Sequence, residues 1–562
     1  MNSAWLFICS IGPVQSFIAA ARSSRDLAYG SQLLSELAKT AARTIAEKEG
    51  FDALIFPSPQ DAEALQPGSE LSVANKIVAV VKGDPGELAG EIEKQLQGKL
   101  LDEWQTVASD LGRSVDDELA RWQIRDLLEF YWAATPFSDE GYTTARACCE
   151  AALAARKVTR DFAPHNGRAR FKSSIDGERE HVMALVPDRS SSLKEGQLQR
   201  YKARRGELLS GVDLLKRWGK LLHEQRFRTN SHMAALPFMT GLGEARAKEL
   251  HTKLAILFKD NGGSGYGEDY AVLYASEARA AFENEEIVDR VIKEQEKLLT
   301  EYAGRRRPGA YYAMLLADGD NMGKLLDSQT TPADHRRLSR ALSEFASEVP
   351  KIIFKHKGMT VYAGGDDILA YLPLHTALKC VQELAEAFEQ SLSGFSTHEG
   401  IRPTLSAGLA IVHHMEPLSE VLELVRSAER EAKASQGKNA LAIALSKRSG
   451  TERLIRARLG DLSKRLETII GWWRDGTVSK GTAYELDGLA RIMEGILSNE
   501  ALCAEAIRIV KRKRESRGTR EVPREVIDRL TEWLRTETLS ELAKEMIVAA
   551  EFASAKDMAE RQ

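Results

Sequence analysis

Met359-Thr360-Val361-Tyr362-Ala363-Gly364-Gly365-Asp366-Asp367-Ile368-Leu369-Ala370-Tyr371 decides the fold of this chain. Two apolar runs of β-forming residues flank a glycine pair and an aspartate pair, the pattern of a strand, a tight turn and a second strand. Adjacent aspartates at a hairpin tip repel each other, and partial burial raises the pKa of each. A divalent cation removes that cost, because Mg²⁺ takes carboxylate oxygens and keeps waters and phosphate oxygens as its other ligands. Glycines beside the pair let a nucleotide approach the backbone. An acidic turn without any ligand is the alternative, and the surrounding sequence must decide between the two.

Upstream, Tyr311 to Ala317 is a buried-strand pattern that runs into Asp318-Gly319-Asp320-Asn321-Met322-Gly323-Lys324. Acids at the C-terminal end of a strand stand where sheet folds with helices place ligand chemistry, and the turn after them has free N–H groups for phosphate. Helical patterns follow over Pro332–His356, Leu374–Leu392 and Leu418–Gln436, with apolar strands at Leu405–Val412 and Ala440–Ala444. The order β-α-β-β-α-β-α-β is a ferredoxin-like sheet with an extension. In such a sheet the first strand lies beside the central hairpin. Asp318, Asp366 and Asp367 can then hold two metal ions about 3.5–4 Å apart, the arrangement for in-line phosphoryl transfer. Lys438, in Gly437-Lys438-Asn439 after the last helix, is placed to reach a triphosphate; a cation serving the helix dipole is the alternative.

Residues 311–445 resemble a palm domain of the nucleotidyl-cyclase kind, related to GGDEF diguanylate cyclases and polymerase palms. The combination of Asp318-Gly319-Asp320-Asn321-Met322-Gly323, Gly364-Gly365-Asp366-Asp367 and Gly437-Lys438-Asn439 more specifically resembles the large subunit of type III-B CRISPR–Cas (Cmr) effector complexes. The N-terminus carries the same resemblance. A strand at Leu6–Ile11 leads into Gly12-Pro13-Val14-Gln15-Ser16-Phe17-Ile18, a strand-to-helix turn with proline at the start of the helix. In that family this segment opens a first palm that has lost its metal acids and still helps to hold a nucleotide. Ala74-Asn75-Lys76, Phe130-Tyr131-Trp132, Ala155-Arg156-Lys157 with Arg160-Asp161-Phe162, Gly177-Glu178-Arg179-Glu180 and Ser231-His232-Met233-Ala234-Ala235 extend the match.

The resemblance implies an α+β multidomain fold: two ferredoxin-like palm domains plus two helical domains. The expected boundaries are a non-catalytic palm over 1–165, a mostly helical linker over 166–300, the acid-bearing palm over 301–448 and a helical bundle over 449–562. It implies Asp318, Asp366 and Asp367 as catalytic metal ligands for two Mg²⁺ or Mn²⁺ ions. Gly12, Gln15, Ser16, Gly319, Asp320, Asn321, Met322, Gly364, Gly365 and Lys438 are the expected nucleotide-binding positions. ATP is the implied substrate and cyclic oligoadenylate the implied product. Other Cmr subunits, a guide RNA and a target RNA are the implied partners, in the cytoplasm. A stand-alone signalling cyclase, a nucleotide-binding scaffold without catalysis and a template-directed polymerase are the competing readings; no fingers or thumb pattern supports the last.

Two departures from the family stand out. The chain has no His-Asp dipeptide, so no HD-type DNase is expected. Lys172-Ser173-Ser174-Ile175-Asp176-Gly177 has no cysteine where relatives place zinc ligands, and the 5 cysteines contain no Cys-x-x-Cys pair, so no zinc is expected. Cys148–Cys149 reads as core packing, and the cysteines suit a reducing compartment. The sequence has no apolar run long enough to span a bilayer and no basic segment ahead of an apolar core at the N-terminus. A net charge of −4 does not announce a nucleic-acid binder. Basic clusters nevertheless occur at Arg305–Arg307, around Lys202, Arg204 and Arg205, and over Lys511–Arg514 with Arg517 and Arg520; each is either a backbone-tracking patch or a solvated face. The glycines at 263, 265 and 267 do not match a dinucleotide fingerprint. Leu454, Leu459, Leu462 and Leu466 read as a buried helical stripe, and Trp472–Trp473 as bundle core.

Overall fold

The computed structural model describes residues 4–69, 71–138, 141–159, 167–168, 170–186, 197–204, 206–222, 228–263, 269–282, 284–448, 450–512 and 521–560. Arg160-Asp161-Phe162, Arg205, part of the glycine-rich loop and most of the C-terminal basic run lie outside the described residues.

The first palm runs β1 (Ala4–Gly12), α1 (Gln15–Ala19), α2 (Ser24–Glu49), β2 (Leu54–Phe56), β3 (Lys76–Val81), α3 (Pro85–Leu111), α4 (Asp117–Leu127), β4 (Glu129–Phe137) and α5 (Tyr142–Val158). Its antiparallel sheet has the order β2-β3-β1-β4, which is the ferredoxin-like order. Phe7, Cys9 and Ile11 face the long helices α2 and α3, and Leu6 and Ile8 face α5, so the period-2 alternation of β1 serves two cores. Cys149 is buried in the α5 layer and Cys148 is exposed.

Five helices follow: α6 (Gly211–Trp218), α7 (Asn230–Leu242), α8 (Glu244–Asp260), α9 (Ala275–Ala281) and α10 (Glu285–Ala303). The described residues of this stretch share their buried clusters with the two palms. Leu208, Leu209, Val212, Leu214 and Leu215 join the core of the first palm, while α7 packs against the strands Tyr311–Gly319 and Asp367–Leu372 of the second sheet and α8 to α10 extend that core.

The second palm runs β5 (Tyr311–Gly319), α11 (Met322–Asp327), α12 (Pro332–Lys355), β6 (Met359–Gly364), β7 (Asp367–Leu372), α13 (Leu374–Ser391), β8 (Leu405–His413), α14 (Leu418–Lys433), β9 (Ala440–Leu445) and β10 (Arg453–Arg458). The sheet order is β10-β9-β8-β5-β7-β6: the same four-strand core, extended by β9 parallel to β8 and by β10 antiparallel to β9. The sheet therefore continues past residue 448, and Leu454 lies on a strand rather than in the helical stripe expected for it. Leu459, Leu462 and Leu466 are buried on α15 (Leu459–Arg474) as their spacing predicts. α16 (Lys480–Met493), α17 (Asn499–Arg512), α18 (Arg524–Thr536) and α19 (Leu539–Glu560) complete a bundle. Trp473 is buried there, and Trp472 packs on Trp533 with ring centroids 5.4 Å apart.

The palms pack reciprocally. Helix α12 lies on the edge strand of the first sheet, where Arg336 donates to the carbonyls of Leu54 at 2.8 Å and Asp52 at 2.7 Å. Ser339 Oγ accepts the N–H of Ser58 at 2.9 Å. Tyr142 of α5 and His335 of α12 share a 2.6 Å hydrogen bond. In return α2 lies along β6, and Ala21 and Leu27, around its start, join the buried cluster that includes Val361 of β6 and Tyr371 of β7. A cleft of about 570 Å³ remains between α2, the C-terminal half of α12 and the open edge of β6, and ends at Ala363, one residue before the hairpin glycines.

Candidate active site

The β6–β7 turn is set by glycine. Gly364 pairs with Asp367 across the ladder, leaving Gly365 and Asp366 as the two turn residues. Gly365 has φ of +70° while Asp366 stays in the ordinary half of the map, the pattern of a type II′ hairpin. The register of β5 on β7, with Ala317 opposite Ile368, carries on to bring Asp318 opposite Asp367. Gly319 is pressed against the third carboxylate: a Cβ there would come within 2.9 Å of Asp366 Cβ. Sequence-distant Asp318, Asp366 and Asp367 thus share one corner of the sheet.

Small residues bring α14 down onto that corner. Ala428 and Ala432 of the helix pack on Ala440, Ala442 and Ala444 of β9. Any side chain at Gly408 of β8 would strike the backbone nitrogen of Glu429. This close approach delivers Glu429 and Lys433, one helical turn apart. Lys433 Nζ forms an ion pair with the Asp318 carboxylate and stands 3.3 Å from Glu429 Oε1. Neither residue stands out in the sequence, because a Glu–Lys pair four apart reads as ordinary helix-surface stabilisation.

Electrostatics mark the corner as short of positive charge. Desolvation pushes both hairpin carboxyls well above the ordinary carboxylate range, and the Asp367 charge adds to the rise at Asp366. Asp367 keeps an open side to solvent, so the pair is crowded rather than enclosed. Burial, then the charges of Asp367 and Asp320, raise Glu429 as well. Burial and then the Lys438 charge push Lys433 down to about 8.

Asp320 is turned away from the aspartate pair. It is fully buried, and its Oδ2 accepts from Thr404 Oγ1 at 2.7 Å, Ser406 Oγ at 2.9 Å and the Asn439 N–H at 3.0 Å. It clamps the loop in which Gly437, Lys438 and Asn439 have φ of +83°, +53° and +49°. Two consecutive non-glycine residues in the left-handed region are costly, and the Asp320 carboxylate holds them there. Lys438 is half-buried in that loop, next to Lys433. Asn321 has φ of +59° and Met322 is buried against Gly319.

At the first palm, Ile11 faces the long helices as Ala317 does, so Gly12 stands in the place of Asp318. The β1–β3 register, Ser10 opposite Lys76, carries on to put Ala74 opposite Gly12, where the second palm has Asp367. The acid at this end is Glu129, packed against Gly12. Gln15 and Ser16 are exposed at the start of α1. Among the described residues no hydrogen bond or ion pair joins Gly12, Gln15 or Ser16 to Asp318, Asp366 or Asp367. Arg307 is committed to Glu296 at 2.6 Å and to the C-terminal carbonyls after α10.

The donor set at the second palm is hard carboxylate oxygen, which suits Mg²⁺ or Mn²⁺. Among the described residues no three His, Cys, Asp or Glu side chains converge into a ready-made cage.

Fold and site define a class: a paired-palm protein in which one palm carries three aspartates and its twin carries none at the same positions. Residues 311–442 match the family model described as Cas10/Cmr2, second palm domain, and residues 6–109 match CRISPR-associated protein Cmr2, N-terminal. Two separate segments of the chain thus match models of the Cas10/Cmr2 family. It is 26% identical over 542 residues to the CRISPR system Cmr subunit Cmr2 of Pyrococcus furiosus, covering 78% of this chain and 61% of that protein. A stretch of 84 residues is 39% identical to the Saccharolobus solfataricus CMR subunit Cmr2, covering 15% of this chain and 8% of the relative. The chain therefore spans about three-fifths of the Pyrococcus relative. Among solved structures, a chain of the type III-B Cmr-beta complex in its apo state superposes with TM-score 0.63 at 13% identity, covering 93% of this chain and 78% of that one. The complex bound to cognate target RNA gives TM-score 0.63 at 14% identity, covering 93% and 79%. Among the described residues no helix is long and apolar enough to cross a membrane.

Proposed function

We propose that the chain is the large subunit of an RNA-guided type III-B Cmr effector complex, and that its paired palms join ATP into cyclic oligoadenylate when target RNA is bound. The observation that carries this reading is the placement of Asp318, Asp366 and Asp367 at neighbouring backbone positions of one sheet corner, in a chain whose other palm lacks them at the matching positions. One ATP rests against each palm, with the cleft beside β6 continuing the palm–palm interface. Two Mg²⁺ or Mn²⁺ ions held by the three aspartates would supply charge neutralisation at the α-phosphate and activation of a ribose hydroxyl. Gly364, Gly365 and Gly319 give the nucleotide access to the backbone. Lys438 and Lys433 answer the charge of the triphosphate and departing pyrophosphate. Asp320 acts through Asn439 by fixing the Lys438 loop. A cytoplasmic complex with guide and target RNA is the setting. An RNA-independent signalling cyclase would use the same corner and differ in needing no partner.

The test is to incubate the chain with ATP and Mn²⁺, alone and assembled with Cmr subunits, guide RNA and target RNA. Product that appears only in the assembled, target-bound sample supports the reading. Equal product from the isolated chain transfers it to a stand-alone cyclase, and no ATP consumption in any sample removes catalysis altogether.

A further inference from the structure

Lys433 holds a position that the chemistry of the site does not need in the ligand-free chain. It stands on the last turn of α14, brought over the end of β5 by the alanine contacts and by Gly408. Its ammonium lies between two carboxylates, paired with Asp318 and 3.3 Å from Glu429. The side chains of Lys433 and Asp318 are only 28% and 24% exposed, so the pair is more than a solvated surface contact. Three further carboxylate groups, those of Asp366, Asp367 and Glu429, crowd the same corner, and Lys433 is the cation that touches Asp318 there.

An oxygen of Asp318 engaged by an ammonium is not available on equal terms to a divalent cation. We propose that Lys433 is a built-in counter-ion that competes with the metal for Asp318, and that a nucleoside triphosphate releases it by offering its phosphates as the alternative anion. This rests on the reading of Asp318 as a metal ligand. Lys438 is the neighbouring cation, held by the left-handed loop, so a polyphosphate meets two neighbouring lysines. Transfer of Lys433 from carboxylate to phosphate frees Asp318 at the moment the phosphate oxygens arrive to complete the metal's coordination. Metal and nucleotide then bind with positive coupling, each weakly alone and tightly together, and by linkage the coupling is reciprocal. Lys433 offsets part of the corner's negative charge in the resting chain without a metal.

The experiment measures Mn²⁺ affinity of the full chain by titration calorimetry or electron paramagnetic resonance, with and without a non-hydrolysable ATP analogue. Wild type, Lys433→Met, Lys433→Arg and Asp318→Ala are compared. Lys433→Met is expected to bind Mn²⁺ without nucleotide roughly tenfold tighter than wild type and to lose most of the nucleotide–metal coupling, within the usual span of such couplings. Lys433→Arg, which keeps the charge, should retain weak binding of the metal alone. Equal Mn²⁺ affinity in wild type and Lys433→Met, both exceeding Asp318→Ala, would overturn the counter-ion role while leaving the metal site intact. Mn²⁺ affinity that Asp318→Ala does not change, with or without analogue, would overturn the assignment of Asp318 itself and the inference with it.

Discussion

Replacing Asp320 by Ala tests whether the loop carrying Lys438 is held by one buried carboxylate. Asp320 Oδ2 accepts three hydrogen bonds, from Thr404, Ser406 and the Asn439 backbone. Without the carboxylate, the two hydroxyls can turn toward other acceptors, but the Asn439 N–H cannot. At ~1–3 kcal/mol for each stranded group, and less for a rotatable hydroxyl, the loss comes to about 3–5 kcal/mol. The left-handed conformations of Lys438 and Asn439 cost on the order of 1–2 kcal/mol each, strain that the clamp now offsets. The expected result is local release of the loop. Amide exchange over the 437–445 segment should quicken by roughly 100- to 4000-fold, since each 1.4 kcal/mol is about tenfold. Affinity for an ATP analogue should fall with it. Exchange within about threefold of wild type, read by mass spectrometry on that segment, would refute the clamp and leave Asp320 free for a direct nucleotide role.

Other perturbations probe the scaffold. Gly408→Ala drives a methyl into the backbone of Glu429, so it should cost ~1–3 kcal/mol in denaturant unfolding and lift Lys433 from Asp318. Arg336→Ala removes one hydrogen bond to β2, at Leu54, and one to Asp52 in the turn before it, and should loosen the palm–palm contact, seen as faster exchange at residues 54–56 with the second sheet unchanged. His335 is held neutral in the folded chain, its pKa pushed down to about 4 by burial and then by Arg146. The unfolded chain takes up that proton near the ordinary value of about 6.5, so stability is full above that pH and declines until the folded pKa is reached. At about 1.4 kcal/mol per unit, the term reaches at most ~3 kcal/mol near pH 4. His335→Gln should flatten the melting-temperature profile between those limits, and an unchanged slope would contradict the assignment.

The strands, the hairpin and the order of the second palm were legible in sequence because apolar alternation, the glycine pair and the acids coincide at the same positions. Gly12 to Ile18 likewise announced the first palm. The extension at Arg453–Arg458 was not legible: its residues alternate charge and aliphatic side chains, which suits an edge strand as well as a solvated helix. The stretch between the palms reads as a separate helical unit by pattern, yet its apolar faces are divided between two cores, a matter of tertiary packing. At the site, sequence brought together the acids that lie at strand ends. It missed Glu429 and Lys433, whose role depends on how closely α14 approaches the sheet. That distance is set by Gly408 and the alanines of β9, small residues with no chemical signature of their own. Asp320 reads as one more acid in an Asp-Gly-Asp run; only burial beneath Thr404, Ser406 and Asn439 separates it from Asp318.

The most direct test of the central claim is the nucleotide product of the complex assembled with Asp366→Ala/Asp367→Ala in place of the wild-type chain. Both complexes are supplied with ATP, Mn²⁺ and target RNA, and the products are resolved by mass. Cyclic oligoadenylate is expected from the wild type and none from the variant, with assembly and target binding unchanged. Undiminished product from the variant would contradict the assignment of this hairpin as the catalytic centre.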